Sequence, residues 1–430
     1  MNKTLLGVVS FCPQVLFAEK TKTKNIFTIA CKPCAPKTSS SLHCLWLTQT
    51  QTSPMTDTSS DVTEIRQGHA LNIPKLTHYL TSHIASFQGP MTIKQFGHGQ
   101  SNPTFLITDT ATDVQYVMRK RPPGKIMSKT AHRVDREFKV MQALQHTKVP
   151  VPEMYVLCED LSVVGQAFYI MEFKKGRIFK DASLAELPKA ERRGIWLALI
   201  DVLATLHNVN FRAVGLETFG RDHGYFSRQL KSLTKVSKAQ LAASAAVPGI
   251  PFFDELVSIL QEQQPQDSVS IVHGDFKMDN CIFHPTEPKV IAVIDWELST
   301  IGHYGADLGN SLSTFFVPGD GVGSIFGNAM DPASCIALGI PSREEILQVY
   351  CSSRTPVLPL NVIVSEMYYY LGFYCWKNAI ITQGIAARVA RGQASSAKAA
   401  SIGALTPVFG DLSKYMLEIY AKGKKQASNL

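Results

Sequence analysis

Two carboxylates, an amide and a lysine crowd into "HGDFKMDN", residues 273–280, directly after the apolar "VSIV" and directly before "CIF". A further aspartate, Asp295, closes the apolar run "VIAVID" and is followed by Trp296 and Glu297. Taken singly these residues are ordinary turn formers, because short Asp and Asn side chains hydrogen-bond the local backbone where a chain reverses. Taken together they meet a narrower need. Moving the terminal phosphoryl group of ATP to an alcohol requires a carboxylate that orients the hydroxyl and takes its proton, and oxygen ligands that hold Mg2+ against the phosphates. Mg2+ favours hard oxygens, with one or two protein carboxylates completed by phosphates and water. In the pattern H-x-D-x-x-x-x-N, Asp275 suits the base, while Asn280 and Asp295 suit the metal, all three at one end of a short hairpin. Lys277 either touches a phosphate or is solvated.

The same chemistry needs a nucleotide site, and the chain offers candidates upstream. "FGHGQSN" (96–102) lies between two predicted strands. Its Gly97 and Gly99 would let backbone N–H groups approach anions, and Ser101 would add a hydroxyl donor; an ordinary hairpin turn is the alternative. No G-x-x-x-x-G-K-[ST] occurs, which excludes a P-loop protein. Arg119 in "YVMRK" stands where a strand-borne cation would meet the phosphates, with Glu137 on the next helix as its partner. The alternative for that pair is a surface ion pair worth at most about 1 kcal/mol. Lys120 points to the opposite face, since strand side chains alternate. Met171 and Phe173 in "IMEF" close a strand whose backbone would face adenine.

These residues require elements to hold them. Ile73, Leu76, Leu80, Ile84 and Phe87 follow helical spacing behind an Asn72 cap with Pro74 in the first turn. Strands are predicted within 91–109 and 114–124, a helix over 131–145 and a strand over 167–173. A strong helix spans 190–208, mixed helix continues to about 264, two short strands (269–273 and 289–294) flank the opening motif, and helix resumes over roughly 343–420. Residues 1–68 stand apart: rich in Thr, Ser, Gln and Lys, they read as an extension, unstructured or targeting. The expected organisation is a kinase-like N-lobe at 69–173 and a C-lobe at 174–430, a bilobal α+β fold.

Composition narrows the classes. The chain has 430 residues, 45% hydrophobic and 18% charged, as in an ordinary globular protein. Its 43 Lys+Arg against 35 Asp+Glu give +8, too dispersed to argue for nucleic acid. No apolar run reaches the ~20 residues of a membrane-spanning helix. Nine cysteines, odd in number and scattered outside the first fifty residues, suggest a reducing compartment. Nothing in the sequence reports an oligomeric state.

"HGDFKMDN", "VIDWE" and "GADLGN" (305–310) resemble the aminoglycoside phosphotransferase/choline kinase-like family, over about 90–420. Within it, "GQSNPTF", "MRKRPPGKI", "VDREFKVMQAL", "STIGHYGADLGN" and "GQASSA" are most similar to the kinase-like domain of acyl-CoA dehydrogenase fusion proteins; no dehydrogenase half follows in this sequence. The resemblance implies the two-lobed protein-kinase fold, ATP and Mg2+ as cofactors, and Asp275 as base. It further implies Asn280 and Asp295 as metal ligands, Arg119 paired with Glu137 on the phosphates, and Asp307 tethering the catalytic loop. One departure is Arg119 itself, where protein kinases carry lysine; it keeps the charge and adds a planar fork.

The acceptor reads as a small hydroxylated and anionic molecule. From 343 onward ten basic residues, among them Lys377, Arg388, Arg391 and Lys398, face five acids, where a polycationic aminoglycoside would want acidic walls. The resemblance implies a hydroxyacyl-CoA; solvated helix faces are the alternative reading of the charges. Aminoglycoside- or choline-type kinase, and a nucleotide-binding scaffold without activity, are the competing functions. The aromatic run "MYYYLGFYCW" (367–376) reads as core. The terminal Ser-Asn-Leu is a variant of the Ser-Lys-Leu peroxisomal address, with mitochondrion and cytosol as alternatives.

Overall fold

The first helix, α1 (Ile73–His83), begins where the sequence marks it: the Asn72 side chain accepts the Lys75 N–H at 3.1 Å, and Pro74 needs no amide hydrogen in the first turn. It covers one face of a six-stranded antiparallel sheet. In order across the sheet the strands are β2 (Val62–Thr63), β3 (Met91–Phe96), β4 (Thr104–Asp109), β5 (Gln115–Lys120), β7 (Phe168–Glu172) and β6 (Met154–Cys158). Leu76, Leu80, Phe105, Tyr116, Met118 and Phe168 form the core beneath α1. On the opposite face α2 (Val134–Leu144) packs Phe138 and Met141 with Val117 and Tyr169, a core continuous with the larger lobe. The alternation of β5 therefore sends Arg119 toward α2 and Lys120 to the other side, where its Nζ lies 6.0 Å from the Phe105 ring centroid.

This structure, a computed structural model, describes residues 55–58, 62–66, 68–97, 102–122, 133–317, 330–393 and 398–428; all fall in one compact unit, Ser53–Leu430. Gly99 and Ser101 of the glycine-bearing loop, the first fifty residues with their cysteines, and Asn429 and Leu430 of the terminal tripeptide lie outside the described residues. Two short strands fall within the stretch 1–68. Besides β2, β1 (Met55–Asp57) pairs with β8 (Arg177–Phe179). Thr58 extends this contact: its hydroxyl donates to Lys174 O and accepts from Gly176 N, each at 3.0 Å, pinning the link between the lobes.

The larger lobe is helical: α4 (Lys189–Asn208), α5 (Tyr225–Leu241), α6 (Phe253–Glu262), α7 (Gly305–Ser311), α9 (Arg343–Ser353), α10 (Leu360–Ala390) and α12 (Thr406–Ser428), with shorter α8 (Pro332–Leu338) and α11 (Ala399–Gly403) between them; the short α3 (Leu161–Val164) belongs to the small lobe, in the core beneath α1. α10 is the central strut, and Met367, Tyr369, Tyr370, Phe373 and Trp376 of its aromatic run are core. The glycines of "GADLGN" have a packing reason: a Cβ on Gly305 would lie 2.2 Å from Tyr370 Cε1, so α7 seats against α10 only without one. Cys158, Cys281, Cys335, Cys351 and Cys375 are buried and free. No helix among the described residues is long and apolar enough to cross a membrane.

Candidate active site

The opening motif sits between two ladders. β9 (Ser270–Val272) pairs with β12 (Thr300–Gly302), while β10 (Cys281–Phe283) pairs with β11 (Val290–Val293), all antiparallel. With the outer strands paired to each other and the inner strands likewise, the connecting loops 273–280 and 294–299 must lie side by side. Two bonds fasten them: Ile294 N–H donates to Asn280 O at 2.9 Å, and His273 Nε2 meets Ile294 O at 3.0 Å. Because the Asp275 N–H donates to His273 Nδ1 (3.2 Å), the ring proton sits on Nε2.

The Asp275 carboxylate is gripped at both oxygens. Asn280 Nδ2 donates to its Oδ2 at 3.0 Å and to its main-chain carbonyl at 2.8 Å, which turns the Asn280 carboxamide oxygen away from Asp275. Asn310 Nδ2 donates to Oδ1 at 3.1 Å. Lys277 Nζ bridges Asp275 Oδ2 (3.3 Å) and Asp279 Oδ2 (3.6 Å). Burial alone would lower the Lys277 pKa, but Asp275 and Asp279 together raise it, so Lys277 is an ion-pair partner and not a merely solvated side chain.

Asp307 holds this loop from below. Fully buried, it accepts His273 N–H at 2.7 Å and Gly274 N–H at 2.8 Å, with His207 Nε2 at 3.2 Å. Burial opposes its charge, yet the His207 hydrogen bond, the two nearby imidazoles and the Gly274 N–H hold its pKa below the usual carboxylate value. His207 is pushed down by burial, and the Asp307 contact only partly offsets this. The pair is thus a carboxylate beside a neutral imidazole.

Arg119 and Glu137 form no surface pair. Their side chains are 11% and 0% exposed, with Nε 3.1 Å from Glu137 Oε2. The Arg119 fork also reaches Asp295 Oδ1 at 2.6 Å and Glu297 Oε2 at 3.8 Å, joining the small lobe to the loop that follows β11. Burial would lower the Arg119 pKa; Glu137 and the other acids more than reverse that. Glu137 is pushed up chiefly by burial, against the pull of Arg119. It is further held by Asn102 Nδ2 (3.0 Å) and the Tyr169 hydroxyl (3.1 Å). Asn102 belongs to "GQSNPTF", and its own side chain is anchored to this network. Gly97 begins the glycine-bearing segment, its carbonyl held by Arg66 Nη2 at 2.8 Å. Asp295 adopts φ 66°, ψ 55°, a left-handed conformation uncommon outside glycine, and one that Asp and Asn tolerate better than most.

Met171 lies in β7, buried and paired with Val117 and Met154; Phe173 follows, packed against the main core next to the link pinned by Thr58. The structure thus joins Asp275 to Asn280 directly, and Asp295 to Arg119 directly and through it to Glu137, with the paired loops linking the two groups. Two neighbours escaped sequence reasoning, Asn102 and Asn310, though both lay inside quoted motifs. Two more stand on α10: Tyr374, in the run read as core, and Lys377, counted among the basic residues of the acceptor side, whose Nζ donates to Gly274 O at 3.3 Å. Of the other basic residues after 343, Arg354 is buried against Tyr304 and Tyr350 and bonded to Asn208, and Lys414 pairs with Glu255. Only Lys377 of these three reaches the catalytic loop. Among the described residues no three His, Cys, Asp or Glu side chains gather as a metal cage. A separate basic cleft of about 340 Å³, lined by Arg221, Arg228, Lys231, Ser232 and Lys235, shares no residue with this site.

A two-lobed fold with an H-x-D-x-x-x-x-N loop beside a buried strand cation and helix glutamate defines a protein-kinase-like architecture. Residues 92–333 match the phosphotransferase enzyme family, and the chain belongs to that family. It is 37% identical to a Ralstonia eutropha protein provisionally named an aminoglycoside phosphotransferase, whose crystal structure it matches with a TM-score of 0.70 over 82% of this chain and 99% of that one. Human acyl-CoA dehydrogenase family member 11 is 38% identical over 347 residues, 78% of this chain and 42% of that protein. The chain thus spans well under half the length of the curated relatives it matches. Plasmodium vivax ethanolamine kinase shares the fold at 13% identity, with a TM-score of 0.52 over 78% of this chain and 86% of that one.

Proposed function

We propose that this chain transfers the γ-phosphoryl group of ATP to a hydroxyl of a small molecule, with a hydroxyacyl thioester of coenzyme A as the acceptor class. The observation that carries the reading is the double grip on Asp275 by Asn280 and Asn310, which aims one carboxylate beside a paired loop bearing Asp295. Asp275 orients the acceptor hydroxyl and takes its proton as the oxygen–phosphorus bond forms and the bond from phosphorus to the bridging oxygen of ADP breaks. The Asn280 carboxamide oxygen and the Asp295 carboxylate are hard donors of the kind Mg2+ prefers, and two protein ligands are what a phosphate-bound ion needs. When bound, that ion offsets the charge of the phosphates. Arg119, braced by Glu137, directs its fork toward the same place. Gly97 begins the phosphate-covering segment that Gly99 and Ser101 continue in sequence, and Met171 near the end of β7, with Phe173 just after it, lies beside adenine.

The acceptor class rests on the resemblance to acyl-CoA dehydrogenase family members and on the local charges. The α10 side chains beside the catalytic loop, Tyr374 and Lys377, include no acid and ill suit a polycation. ADP release from Mg-ATP, measured with a panel of hydroxylated acceptors, tests the reading. Wild type should turn over at least one acceptor, and Asp275→Ala should lose that turnover. Equal turnover by both proteins removes Asp275 from the mechanism; ATP binding with no acceptor consumed favours a scaffold.

A further inference from the structure

α10 passes the catalytic loop at Tyr374 and Lys377 and then runs on beyond it. Tyr374 lies within electrostatic range of Asp275, and Lys377 touches Gly274 O. From 374 to 388 the helix is mostly buried. The positions that reach solvent are 374, 377, 378, 381, 385, 386 and 388, and at 100° per residue all but Ala386 fall on one face. Ile381 is 43% exposed although apolar, and Ile385, one turn on, is half-buried. One side of this stripe is walled by α5, where the Gln240 carboxamide closes over Gly384. The stripe is therefore graded: a cation at the reacting end, then two isoleucines, then Arg388 in the last turn. Eleven residues separate Lys377 from Arg388, about 16 Å along a helix.

We propose that this stripe is the track on which the acceptor lies: a hydroxyacyl-CoA with its hydroxyl at Asp275, its thioester oxygen on Lys377, its pantetheine stem over Ile381 and Ile385, and a phosphate on Arg388. The inference rests on the phosphotransfer reading above and adds the direction and anchor points of the substrate. Lys377 carries three donors and Gly274 O takes one of them, so two remain for an acceptor oxygen. An apolar segment between two cations matches a stem that is neutral between a reactive acyl end and a charged nucleotide end. An aminoglycoside or choline offers no anion for Arg388.

Two measurements on the full chain test it separately from the reaction. Coenzyme A alone, titrated calorimetrically with ADP at saturation, should bind wild type, and Arg388→Gln should weaken it about tenfold, as expected for one lost charge-assisted contact. In turnover with Mg-ATP, hydroxybutyryl-CoA isomers are compared with the matching hydroxybutyryl-pantetheines, which lack the phosphates. Arg388→Gln should narrow the preference for the CoA ester by about the same tenfold factor. Lys377→Met should lower kcat/KM for both esters, with partial recovery in Lys377→Arg. Coenzyme A binding that ignores Arg388→Gln, or that is lost instead on Lys231→Glu with Lys235→Glu in the cleft on α5, overturns the track. Binding that depends on Arg388 while no ester is phosphorylated keeps the track and overturns the reaction.

Discussion

His303 offers a prediction whose size follows from its surroundings. The imidazole is fully buried ahead of α7, the helix that carries Asp307. Nδ1 accepts the Gly305 N–H at 3.0 Å and Nε2 meets Gln266 O at 3.1 Å, while Phe226 and Tyr370 pack around the ring. Burial holds its pKa down at about 4, with the Gln266 carbonyl and Asp267 pulling upward and His207 downward. An imidazole in the unfolded chain titrates near its ordinary 6.5, so between these values the unfolded state binds the proton and the folded state does not. Stability contributed by this group is thus complete above pH 6.5 and is lost as pH falls toward 4, up to about 3.4 kcal/mol. At pH 5.5 the loss relative to pH 8 is about 1.4 kcal/mol. His303→Gln keeps a donor and an acceptor but removes the titration. Urea unfolding of both proteins at pH 8 and 5.5 should show the wild type losing about 1.4 kcal/mol more than the variant. His207, also pushed down, acts in the same direction in both proteins and cancels. Identical losses, or a wild type that gains stability on acidification, would refute the reasoning.

Other consequences can be tested alongside. Arg119→Lys keeps the charge but cannot span Glu137 and Asp295 with one ammonium. Losing one charge-assisted contact of about 1.5–3 kcal/mol should lower kcat/KM for ATP tenfold or more, and unchanged kinetics would show that the fork is dispensable. Gly305→Ala forces a methyl into the Tyr370 ring. It should cost about 1–3 kcal/mol by overpacking, read as a lowered urea midpoint; no change would mean that α7 can shift away from α10 freely.

The sequence made much of this legible where elements were long and periodic. α1, α2, α4 and the strands β3, β4, β5 and β7 carry enough residues for a face to repeat, and strand alternation alone put Arg119 and Lys120 on opposite sides. β8, β10 and β12 hold three residues each, too few for any period to show, and β1 lies in a stretch whose composition reads as extension. The motif singled out Asp275, Asn280 and Asp295 as candidates because three oxygen donors at fixed spacing are rare by chance. What it could not disclose was contact across the chain. Arg119 meets Asp295 over 176 positions and Lys377 meets Gly274 over 103, and such pairings follow from tertiary packing alone. Of the basic residues counted after 343, Lys377 reaches the loop, while Arg354 and Lys414 are engaged elsewhere.

The central claim is that Asp275, Asn280 and Asp295 bring a nucleotide's last phosphate to an alcohol. Phosphorus NMR of Mg-ATP incubated with the protein and a hydroxyacyl-CoA panel reads that transfer directly. The γ signal should be replaced by a phosphate monoester in the wild type and should persist in Asp275→Ala. A monoester formed equally by both proteins, or a wild type that yields only inorganic phosphate, would contradict the account.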